Sequence, residues 1–200
     1  DRPNMQLHFA PVQVGKYSDE GADLYNPDTY PTADGYSILP TLLKPKSVAF
    51  IGLKSNNPFD APLIQPNYLE SEDDRMVLLK GTRKALEVLA SESFKPYRTE
   101  THFPKGANSL SDEALLEHIR RTLETVYHPI GTCKMGSDEM AVVDTQLRVR
   151  GIEGLRVIDA SIMPTIVSGN TNAPVIMIGE KGADLVKGKV TASQTNLATA

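Results

Sequence analysis

His128, Asp159 and Asn170 are the residues of this chain whose types and settings could do chemistry, and each falls where a strand end or a loop is expected. His128 follows Tyr127 and opens the segment His128-Pro129-Ile130-Gly131-Thr132-Cys133-Lys134-Met135-Gly136. An imidazole can accept a proton near neutral pH without special tuning, which makes His128 a candidate general base. Taken alone, a histidine before a proline reads far more often as a structural residue than as a catalytic one. Asn170, in Ser168-Gly169-Asn170, suits a turn because asparagine tolerates left-handed backbone. Its amide also both donates and accepts hydrogen bonds, so it could orient a substrate oxygen without acting as a base.

Asp159 ends the apolar run 155–159 and precedes Ala160-Ser161. It reads either as a cap on the following turn or as a ligand-facing acid, because ligands of open α/β sheets gather at the carboxyl ends of strands. The Ala160 amide would share that second role. Asn172-Ala173-Pro174 introduces an apolar helix whose first turn presents unpaired N–H groups and a positive dipole end. Those features suit a group that gains negative charge, and they also suit a plain buried helix with an asparagine cap. Cys133 lies five positions from His128, but the local signatures of thiol nucleophiles are absent and a packed cysteine is the simpler reading. His102 and His118 read as solvated, and His8, on a mostly apolar strand, as a candidate pocket-lining residue. The four histidines do not have metal-ligand spacing, so no metal site is expected.

The elements that must position these groups follow from periodicity. Residues 5–14 alternate like a half-buried strand, with Pro11 at a bulge or edge. Residues 15–35 are polar, rich in Gly, Pro and Asp, and read as a long loop or lid-like excursion. A second strand is expected over 47–54. A helix should start at Ser71, with Asp74 completing a capping box, and run through Ala90 over Met76, Leu79, Leu86 and Leu89, weakened by Gly81. Another should run over 112–125 with Ser111 as N-cap and Leu115, Ile119, Leu123 and Val126 on one stripe. Short strands are expected within 141–150 and 155–159. Pro174 sits in the first turn of a last helix reaching about Lys187, since that turn does not need its missing N–H. A frayed tail follows from Gly188.

Composition excludes several classes. The chain has 40% hydrophobic and 23% charged residues, which describes an ordinary globular protein. A net charge of −4 with scattered Lys and Arg lacks the footprint of a nucleic-acid binder. The single cysteine forbids an intrachain disulfide and leans the compartment toward the cytoplasm, with peripheral attachment to a membrane left open. No apolar run is long enough to span a bilayer. A Gly-rich dinucleotide fingerprint is absent, and the N-terminus, Asp1-Arg2-Pro3-Asn4, carries neither an initiator Met nor a signal-peptide pattern.

In their order, the His128 segment, Arg156-Val157-Ile158-Asp159-Ala160-Ser161-Ile162-Met163-Pro164-Thr165 and Ser168-Gly169-Asn170-Thr171-Asn172-Ala173-Pro174 resemble the C-terminal signature of the glucose–methanol–choline (GMC) family of flavin-dependent alcohol oxidoreductases. Pro58-Phe59-Asp60-Ala61-Pro62-Leu63-Ile64-Gln65-Pro66-Asn67-Tyr68 extends the likeness, which covers about residues 2–188. The resemblance implies an α+β chain: an antiparallel-sheet substrate domain with helices over 1–125, a segment over 126–188 that returns to an FAD-binding α/β domain with the catalytic face, and a tail over 189–200. It implies FAD as cofactor, with Asp159 and Ala160 near its ribityl and pyrophosphate region and Asn172, Ala173 and Pro174 facing its pyrimidine ring. It further implies that His128 takes the hydroxyl proton of a primary alcohol, choline-like or other, while Asn170 positions the oxygen and hydride passes to flavin N5, giving the aldehyde. Asn at 170 looks more like the choline-oxidising branch than like the sugar oxidases. On this likeness the chain begins in mid-sequence and its nucleotide-gripping partner is the upstream half of the same protein. The competing expectation is a non-enzymatic binding or assembly module that keeps the family's fold.

Overall fold

A computed structural model of the chain describes residues 2–14, 34–101 and 104–189. Two compact units divide between Thr125 and Val126.

The first unit is built on a hairpin and two helices. β1 (Met5–Ala10) pairs antiparallel with β2 (Ser37–Leu42), with Met5 opposite Leu42 and Ala10 opposite Ser37. β1 stops short of the expected 5–14, because Pro11 cannot donate to a ladder and the chain turns there instead of bulging. β2 was not legible in the sequence: Pro40 sits inside it, and its residues are all half-buried, so no alternation shows. Pro40 is tolerated because each strand of a two-stranded sheet has a free edge. The expected strand over 47–54 shrinks to β3 (Phe50–Gly52), which pairs with β4 (Leu63–Gln65) in a second two-stranded antiparallel sheet. Most of the 15–35 excursion, residues 15–33, and His102 lie outside the described residues.

α1 (Glu72–Leu89) packs on the β1–β2 hairpin. Gly81 has a reason beyond its cost to the helix: a Cβ there would stand 2.6 Å from the Met5 Cε of β1. The capping box does not form. Ser71 is the N-cap but its side chain caps nothing. Asp74, only 2% exposed, instead accepts from the Lys46 and Ser47 amides, both at 2.8 Å, and from Ser47 Oγ at 2.6 Å. Ser47 Oγ in turn accepts from the Ser71 amide at 3.0 Å, the bond a capping box would have assigned to Asp74. A buried carboxylate with three donors is far better satisfied than one with a single N–H, so the tertiary partner wins.

α2 (Asp112–Thr122) packs against α1 around Leu79, Leu86, Ala107 and Leu115. Each leucine so buried stabilises by about 1.5–3 kcal/mol. Ser111 is the N-cap and accepts from the Ala114 amide at 3.2 Å, as the sequence indicates. The helix ends three residues early, and its buried stripe stops at Ile119, leaving Leu123 and Val126 exposed. His118 is half-buried, not solvated: burial, with the Arg121 charge acting in the same direction, holds its pKa below the ordinary histidine value.

In the second unit the expected strands over 141–150 and 155–159 reduce to isolated bridges, Met135 to Val143, Val143 to Val149 and Arg148 to Arg156. Asp144 interrupts them. Its Oδ1 accepts from the Gln146 and Arg148 amides at 2.8 and 2.9 Å, which folds a turn in which Leu147 takes φ of 62°. α3 (Asn172–Val186) lies over this unit's core of Val143, Leu147, Ile162, Met163, Ile178 and Leu185. The helix reaches close contact through Gly182, where a Cβ would stand 2.2 Å from Ile158 Cγ2. No helix among the described residues is long and apolar enough to cross a membrane.

Candidate active site

The site is assembled from three loops of the second unit. The segment after His128 is stitched to 160–163 by two backbone bonds: the Cys133 amide donates to Ser161 O at 3.0 Å and the Met135 amide to Ile162 O at 2.8 Å. Gly131, just before these bonds, takes φ of 87°, and a Cβ there would stand 3.4 Å from Met163 O. Tyr127, immediately before the histidine, holds a φ of 61°. A non-glycine residue there costs on the order of 1–3 kcal/mol and persists only where its surroundings over-determine it. The strained residue thus abuts the one group of the unit suited to proton transfer.

His128 is half-buried, and both of its ring nitrogens have partners. Nε2 lies 3.3 Å from Asn170 Nδ2, and Nδ1 lies 3.0 Å from Thr171 Oγ1. The two candidates forty-two positions apart in sequence are therefore neighbours. Asn170 is exposed and His128 half-buried, whereas Thr171 is buried at 8% exposure. Sequence reasoning passed over Thr171. Its only signal was a hydroxyl beside Asn170, three positions before a proline.

Asp159 takes the capping geometry: its Oδ1 accepts from Ser161 N at 2.7 Å and Ser161 Oγ at 2.5 Å, at the head of the short 3₁₀ turn Ala160–Ile162. One carboxylate oxygen is thus committed within the fold. The Asp159 side chain is exposed, and Ala160 is half-buried in the turn that joins the His128 loop to the core. Asn172, Ala173 and Pro174 form the first turn of α3, which has no side-chain cap and no acidic residue. Pro174 has no N–H, and the first helical bond is donated by Val175 to Thr171 O at 2.9 Å. The Asn172 and Ala173 amides and the dipole end are therefore uncompensated by protein charge, a donor set that fits an electron-rich ring edge or an anion. Cys133 is half-buried, and the ring partners of His128 are Asn170 and Thr171. His8 lies in the other unit, with Nε2 buried and unpartnered. Among the described residues no cluster of His, Cys, Asp and Glu could hold a metal ion.

A family model described as GMC oxidoreductase matches residues 45–179. An alcohol dehydrogenase [acceptor] of Pseudomonas putida is 42% identical over 190 residues, 95% of this chain and 33% of that protein. The human mitochondrial choline dehydrogenase is 44% identical over 193 residues, 94% of this chain and 30% of that protein. Among solved structures, pyridoxine 4-oxidase from Mesorbium loti superposes with a TM-score of 0.81 at 25% identity, covering 96% of this chain and 36% of that one. Formate oxidase of Aspergillus oryzae, in a variant studied for its effect on FAD modification, does so with a TM-score of 0.76 at 26% identity, covering 94% of this chain and 32% of that one. The chain thus spans about a third of the length of the curated relatives it matches. Helices with small antiparallel sheets, a histidine–asparagine pair in loops and a family match over more than half the residues converge on one conclusion: the chain belongs to the GMC oxidoreductase family.

Proposed function

We propose that the protein carrying this chain oxidises a primary alcohol to its aldehyde, with FAD as cofactor and this chain supplying the acid–base face. The observation that carries the reading is the His128–Asn170 pair, an exposed amide 3.3 Å from an imidazole nitrogen. The names of the relatives and structural neighbours, which include alcohol and choline dehydrogenases and pyridoxine 4-oxidase, support an alcohol as substrate.

Nε2 of His128 accepts the hydroxyl proton, which leaves the carbinol carbon poised to release a hydride. FAD, when bound, supplies the two-electron acceptor for that hydride. Asn170 cannot take the proton at neutral pH; it donates to the alcohol oxygen and holds it against Nε2. The first turn of α3, through Asn172, Ala173 and the dipole end before Pro174, would hold the ring edge where negative charge gathers. Asp159 and Ala160 would border the ribityl and pyrophosphate side.

The test is anaerobic stopped-flow of the full-length, flavin-bound protein mixed with primary alcohols. Bleaching of the flavin by an alcohol, slowed about 10²–10⁴-fold in His128→Ala, is the expected result. Bleaching at the unaltered rate in His128→Ala would remove His128 from the chemistry.

A further inference from the structure

We propose that Thr171 is a positioning residue that holds His128 in the tautomer with its lone pair on Nε2. This rests on the reading of His128 as the base. The argument begins with hydrogen counting. A neutral imidazole carries one N–H, and the group facing Nε2 is the NH₂ of Asn170, which can only donate. With the amide so oriented Nε2 accepts, which puts the hydrogen of a neutral ring on Nδ1. Thr171 Oγ1, 3.0 Å away, is the acceptor of that hydrogen. A hydroxyl could donate as readily as accept; opposite the Asn170 NH₂ it accepts, and without it the Nδ1 hydrogen would face no acceptor.

A second observation explains why this hydroxyl is at the histidine's disposal. Thr171 is the N-cap of α3, and an N-cap threonine ordinarily turns its oxygen onto the N–H of the second or third helical residue. Thr171 makes no such bond. The third helical residue is Pro174, which has no N–H to offer, and the Thr171 backbone is already helical, with φ −86° and ψ −9°, where the extended backbone of a capping residue would be expected. The proline removes one of the two competing donors, and the Thr171 side chain makes no bond to the other and lies against His128. At 8% exposure little water competes for Oγ1. In free solution neutral histidine favours the other tautomer, with the hydrogen on Nε2, where it would block proton acceptance from an alcohol. The device is therefore the same in kind as a buried acceptor behind a catalytic histidine, here with an uncharged oxygen in place of a carboxylate.

The experiment compares wild type, Thr171→Val, Thr171→Ser and His128→Ala as full-length protein. Ring-nitrogen NMR of the flavin-free protein, with the His128 signals assigned by their loss in His128→Ala, is expected to show a protonated Nδ1 and an unprotonated Nε2. Thr171→Val should move His128 toward the Nε2–H form, and Thr171→Ser should keep the wild-type form. In the flavin-bound protein Thr171→Val should slow flavin reduction about 10–100-fold and move the controlling ionisation to lower pH, because the imidazolium loses its acceptor; Thr171→Ser should restore both. A wild-type histidine in the Nε2–H form overturns the proposal whatever the variants do. So does Thr171→Val with unchanged tautomer and rate, or Thr171→Ser as impaired as Thr171→Val, which would make the residue a packing group. Normal turnover in His128→Ala would sink the base assignment instead, while the NMR result would still decide whether Thr171 sets the tautomer.

Discussion

α2 and α3 begin with the same kind of residue and use it in opposite ways. At α2 the Ser111 hydroxyl accepts from the Ala114 amide three residues on, the ordinary local cap. At α3 the Thr171 hydroxyl ignores its own helix and reaches a histidine forty-three positions back in the chain. Among the described residues, the first unit, where Ser111 lies, holds both sheets and two of the three α-helices. The described residues of the second form one α-helix, turns and isolated bridges, yet they include every residue assigned to the reaction. Ser111 satisfies its own helix, whereas Thr171 and Asn170 are directed at a ring across loops, which leaves them available for chemistry.

The largest effect that could break this contrast is at His128. Its removal should cost about 10²–10⁴ in flavin reduction and abolish the ionisation that governs the rate across pH. Asn170→Ala should slow the same step by about 10², the typical cost of a misplaced substrate, yet leave that ionisation in place, because an amide does not titrate there. An Asn170→Ala enzyme that lost the ionisation, beside a His128→Ala enzyme that kept it, would invert the two roles.

Ser111→Ala sharpens the contrast from the structural side. Loss of a working cap should lower stability by about 1 kcal/mol in chemical denaturation without changing the rate of flavin reduction. A catalytic defect in that variant would erase the distinction between the two helix starts. The smallest effect concerns His118. Because its folded pKa lies below the ordinary value, the unfolded chain binds the proton first as the pH falls. Stability should therefore be complete above the ordinary histidine pKa of about 6.5 and decline below it. His118→Gln should flatten that part of the stability curve, and a curve unchanged by the substitution would show that His118 is as free to protonate in the folded state as in the unfolded one.

Much of the regular structure was legible because its cause is local. Ser111, the spacing of Leu115 and Ile119, and a proline in the first turn of α3 each determine a helix boundary within one turn of chain. Where the sequence misled, a carboxylate found partners that the expected element would not have given it. Ser71 and Asp74 have capping-box spacing, but the 46–47 turn delivers two amides and a hydroxyl to Asp74. Residues 141–150 alternate like a strand, but the Asp144 carboxylate folds them into a turn. β2 hid behind Pro40, since a free edge appears only once the hairpin has formed.

The same division runs through the site. Sequence by itself determined which groups could act: an imidazole at 128, an amide at 170, and a helix start at 172–174 with a proline in its first turn. It could not determine that Asn170 and Thr171 flank opposite nitrogens of one ring, because that depends on the backbone bonds tying the His128 loop to 160–163 and on the packing of α3 over the same core. Residue type sets what a group can donate, accept or titrate. Only tertiary structure sets which nitrogen of His128 keeps its lone pair, because that choice lies with the groups packed on either side of the ring.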